Sequence, residues 1–128
     1  IEQAQTEAEK HAVIWCVTNK VPLAQFKQGG LHVIFYEHLC TQPEVEMQRL
    51  FSTINLPYRK ESFVDFGRPS TTSLPTSAVL TGDDRLERWK RILTAGTVHD
   101  ILTTVDRFGL AHLYGEMPLP LIENPYYE

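Results

Sequence analysis

Leu31-His32-Val33-Ile34-Phe35-Tyr36 is the stretch on which the reading of the fold turns. It is short, β-branched and aromatic, and its hydrophobicity is nearly unbroken, the pattern of a strand covered on both faces in a parallel sheet. Gly29-Gly30 just before it accepts positive φ, which ends a helix and turns the chain into the strand. Such a strand needs hydrogen-bonded neighbours, because buried backbone N–H and C=O groups must be paired. The sequence holds no other obvious strand, so the missing ones are expected upstream of Ile1 or in another chain. A first residue of Ile1 instead of Met adds the expectation of a processed or truncated polypeptide.

Outward from that stretch the pattern is helical. Ala4, Ala8, Ala12 and Trp15, broadened by Ile14 and Val17, fall on one helical stripe, predicting an amphipathic helix to about Lys20. Pro22 then kinks it or starts a second short helix through Phe26. On the other side, Thr41-Gln42-Pro43-Glu44 reads as a helix entrance, since proline tolerates the first turn and Glu44 complements the positive end of the dipole. Val45, Met47, Leu50, Phe51 and Ile54 supply that helix's apolar face, Asn55-Leu56-Pro57 stops it, and Lys60 to Phe66 suggests one more short helix. From 67 to 82 the composition shifts to Pro, Ser and Thr, predicting a long mobile loop, a length usually tied to function. Asp83 and Asp84 open a further helix with Leu86, Trp89, Ile92 and Leu93 inward, and Thr94 caps the next. In that last helix Val98, Ile101, Leu102, Val105 and Phe108 repeat at i, i+3 and i+4, and Gly109 is a good residue to follow its end. Pro118-Leu119-Pro120 and Pro125 suit an extended tail.

At 128 residues and 42% hydrophobic content the chain has the size of a single domain or fragment and is too apolar for intrinsic disorder. A formal net charge of -4 gives no general reason to bind nucleic acid or anionic lipid, so any basic site must be local. No apolar run approaches a membrane span, and residues 1–4 lack the basic and apolar regions of a signal peptide. Cys16 and Cys40 have no C-x-x-C spacing and read as buried or partly buried free thiols, which points to a cytoplasmic setting.

Several chemistries are missing. Gly29-Gly30 precedes the strand instead of following it, so no phosphate-cradling loop is present. His11, His32, His38, His99 and His112 show no metal-ligand spacing, and no serine stands in a G-x-S-x-G frame. His38 lies just past the strand's end, where open sheets place ligand groups, although a solvent-facing loop histidine is the plainer reading.

Phe35-Tyr36-Glu37-His38-Leu39-Cys40 followed by Gln42-Pro43-Glu44 resembles the strand-to-helix segment of sulfotransferases that use 3′-phosphoadenosine 5′-phosphosulfate, with His38 in the place of an aspartate. The likeness runs on through Leu50-Phe51 to Leu56-Pro57, similar to the family's Gly-Leu-Pro phrase with Asn55 in the glycine place. It returns at Trp89-Lys90-Arg91-Ile92-Leu93-Thr94, at Phe108-Gly109-Leu110 and at Leu113-Tyr114, and Trp15 with Asn19 fits a helix the family carries before the strand. Core packing is the expected role of both Trp89 and Tyr36.

The resemblance implies an α/β fold, the C-terminal part of a P-loop-type parallel-sheet sulfotransferase, mostly helical with one strand in this chain. It also implies transfer of a sulfuryl group from 3′-phosphoadenosine 5′-phosphosulfate to a hydroxyl or amine on a small-molecule or carrier-bound acceptor. The glycine-rich loop and catalytic base would lie in the upstream part of the same protein, leaving no catalytic residue here. The family's Arg-Lys-Gly phrase, which grips the 3′-phosphate, is missing. Arg68, Ser70, Thr71, Arg85 and Arg88 are the nearest equivalents, with solvated surface charge as the competing reading of the arginines. The rival class is a non-enzymatic helical protein-interaction module.

Overall fold

The computed structural model describes residues 6–26, 29–63, 71 and 84–123, and among them every regular element is helical. They are α1 (Glu7–Gln25), α2 (Tyr36–Thr41), α3 (Pro43–Thr53), a 3-10 turn (Lys60–Phe63), α4 (Trp89–Ile92) and α5 (Ala95–Arg107). The expected α/β fold with its parallel strand is therefore corrected: no strand and no sheet occurs among the described residues. Residues 32–35 carry no regular structure, with Phe35 extended at φ -84 and ψ 128, and Tyr36 already opens α2. The reason is physical. An apolar run makes a strand only where a neighbour completes the ladder, and a helix satisfies its backbone from within. Leu39 N–H donates to the Phe35 carbonyl at 3.2 Å, so the end of the run, Phe35 as cap and Tyr36 as first residue, is committed to a helical turn.

The chain forms two compact units, one made of residues 1–33 and 93–128, the other of residues 34–92. In the first, α1 and α5 pack together. Thr6 opens α1 with a capping box: its hydroxyl accepts from Glu9 N–H at 3.1 Å while Glu9 Oε2 accepts from Thr6 N–H at 2.9 Å. Pro22 neither ends nor divides the helix, which runs three residues further at the loss of one bond, that of the missing Pro22 N–H to the Thr18 carbonyl. Thr94 caps α5 as the sequence predicts, accepting from Thr97 N–H at 3.1 Å, a cap that stabilises by about 1 kcal/mol. The far end of α5 closes with paired bonds from Gly109 N–H to Asp106 O at 2.7 Å and from Leu110 N–H to Val105 O at 3.1 Å. That geometry requires the positive φ of Gly109, +70°. Lys20 Nζ then donates to the Phe108 carbonyl at 2.7 Å, tying α1 to the negative end of α5.

The core of this unit is Cys16, Val105, Leu110 and Leu113, with Trp15, Leu23, Ile101, Phe108, Tyr114 and Ile122 packed around it. Trp15 and Tyr114 meet edge to face at 5.6 Å between centroids. The opposite side of α1 is also apolar yet uncovered: Ile14, Val17 and Val21 are 55%, 46% and 46% exposed.

In the second unit α2 and α3 pack across the short break at Gln42. Pro43 occupies the first turn of α3, as expected from its missing donor. The end of α3 repeats the closure of α5: Asn55 N–H donates to Ser52 O at 3.2 Å and Leu56 N–H to Phe51 O at 2.9 Å, with Asn55 at φ 55. Asparagine is among the few side-chain-bearing residues that enter the left-handed region readily, which is why it can stand where glycine is preferred.

Candidate functional site

The chemistry-bearing side chains of the second unit gather on α2, on α3 and on the turn of residues 84–88. Asp84 builds that turn, its Oδ1 accepting from Leu86 N–H at 2.8 Å and from Glu87 N–H at 3.2 Å while its carbonyl takes Arg88 N–H at 3.2 Å. Arg85 is exposed on this turn and Arg88 is half-buried. Thr71 is exposed in a turn of its own. Arg68, Ser70 and the rest of the Pro/Ser/Thr stretch lie outside the described residues.

Of the residues singled out in the sequence, Arg85 has an electrostatic influence on another motif. Its guanidinium acts electrostatically on the phenol of Tyr36, the first residue of α2. Tyr36 stands 56% exposed, which corrects its expected place in a core. Its phenol is pushed above the ordinary value of 10.0 chiefly by donating a hydrogen bond to the Cys40 sulfur one turn on, then by partial burial and the charge of Cys40. Arg85 pulls in the other direction, and Glu37 adds a small push upward. The phenol's one O–H is thus used within α2, and the positive charge of Arg85 is what remains to meet an anionic oxygen.

A second group was not legible in the sequence. Glu46 of α3 is buried, and Arg49 reaches it with Nη2 at 2.7 Å and Nε at 3.3 Å from both carboxylate oxygens. His38 of α2 brings Nδ1 to 3.8 Å from the same carboxylate and meets Phe35 edge to face at 5.4 Å. His38 is therefore a half-buried helical residue facing a carboxylate, in place of the solvent-facing loop histidine expected. The i, i+3 spacing of Glu46 and Arg49 is the signal that could have found this pair. Trp89 likewise departs from its expected core position: it is half-buried, with Lys90 Nζ 5.8 Å from its ring centroid.

Cys16 and Cys40 are both free thiols, Cys16 buried and Cys40 half-buried. No helix among the described residues is long and apolar enough to cross a membrane. The chain matches no protein-family model, no curated protein and no solved structure.

Proposed function

We propose that this chain is the C-terminal part of an enzyme that transfers a sulfuryl group from 3′-phosphoadenosine 5′-phosphosulfate to a hydroxyl or amine acceptor. The observation that carries the reading is that the charge of Arg85 is felt at Tyr36 within one unit. These residues sit in or beside two of the sulfotransferase-like phrases, far apart in the sequence, and Arg85 offers a cation to a phosphate. Two further observations support it. Asn55 adopts the left-handed conformation that suits the glycine place of the Gly-Leu-Pro phrase, and Trp15 packs on Tyr114 of the Leu-Tyr tail.

In this reading the second unit contributes to holding the cofactor's phosphate, through Arg85 with Arg68, Ser70, Thr71 and Arg88 as further donors. When bound, the cofactor supplies an activated sulfuryl group and leaves as adenosine 3′,5′-bisphosphate. The acceptor's base and the loop around the sulfate belong to the upstream part of the same protein, and the acceptor is a small or carrier-bound molecule. A cytoplasmic setting agrees with two free thiols. The competing reading, a non-enzymatic helical interaction module, draws on the exposed Ile14, Val17 and Val21 of α1.

Calorimetry with adenosine 3′,5′-bisphosphate on the full-length protein separates them. A hydrogen bond from a charged group stabilises by about 1.5–3 kcal/mol, so Arg85→Ala should weaken binding roughly ten- to a hundredfold. The melting temperature should stay unchanged, since Arg85 is exposed. The 128-residue chain alone should bind far more weakly than the full-length protein. Absence of binding by the full-length protein favours the module, and unchanged affinity in Arg85→Ala removes this turn from the site.

A further inference from the structure

We draw no further inference here: the strongest candidate, the outward apolar face of α1 formed by Ile14, Val17 and Val21, is exposed along its length, but nothing in the structure shows what covers it.

Discussion

The two units are stabilised by different physics. In the unit of α1 and α5, four apolar side chains are buried together, and polar groups serve mainly as caps at helix ends. In the unit of α2 and α3, Phe35 is the buried hydrophobic residue among those described, and the other buried side chain is the carboxylate of Glu46. Tyr36, Val45, Ile54, Leu56 and Ile92 of that unit are exposed. Hydrophobic burial contributes roughly in proportion to the area removed from water, whereas a hydrogen bond adds only about 1 kcal/mol net. The second unit should accordingly open more easily, and segments of low local stability are where ligand-binding elements are commonly found. The comparison thus places most of the hydrophobic stabilisation in one unit, and the proposed phosphate contact falls in the other.

The largest expected effect is in the scaffold. Leu113 is 3% exposed in the first unit's core, and Leu113→Ala should cost about 3 kcal/mol, the lost transfer energy plus a cavity. Urea denaturation followed by circular dichroism reads this directly, and a loss under about 1 kcal/mol would mean that the core is not where the stability lies.

A smaller effect belongs to the second unit. Glu46→Gln keeps the shape of the side chain and removes the charge that Arg49 and His38 face. Because Arg49 is partly in water, the loss should be about 1 kcal/mol, seen as roughly fivefold faster amide exchange in α3 with α5 unaffected. Equal acceleration in both helices would merge the two units into one cooperative body.

The smallest effect is a slope with pH. Burial pushes the Cys16 thiol above its ordinary value of 9.0, and nearby Lys20 offsets part of that. The folded state therefore keeps a proton that the unfolded chain has released. Its contribution is complete below pH 9.0 and is lost as pH climbs through the higher folded value. Cys16→Ala should flatten the decline in stability just above pH 9.0, and an unchanged slope would exclude Cys16 as its source.

What was legible in the sequence follows the strength of the local signal. α5 could be read end to end, because its apolar period, Thr94 and Gly109 all agree. Pro43 marked the entrance of α3 for the same reason. The 31–36 run misled because a short apolar segment has no period of its own, and whether it becomes a strand depends on a partner rather than on its own residues. That error placed Tyr36 at a strand end and hid its i, i+4 relation to Cys40 on α2. α1 could be recognised as a helix, but apolar side chains on opposite faces leave its direction of burial to be settled by α5. Of the candidate site residues, Arg85 was singled out from its neighbourhood to Trp89, while its electrostatic influence on Tyr36 is tertiary and no local pattern encodes it.

The proposed phosphate contact in the second unit is tested most directly by an amide-exchange footprint of adenosine 3′,5′-bisphosphate on the full-length protein. The nucleotide should slow exchange in α2 and in residues 84–88 and leave α1 and α5 as they were. Protection confined to α1 and α5, or none in α2 and residues 84–88 at saturation, would contradict the assignment of phosphate recognition to the second unit.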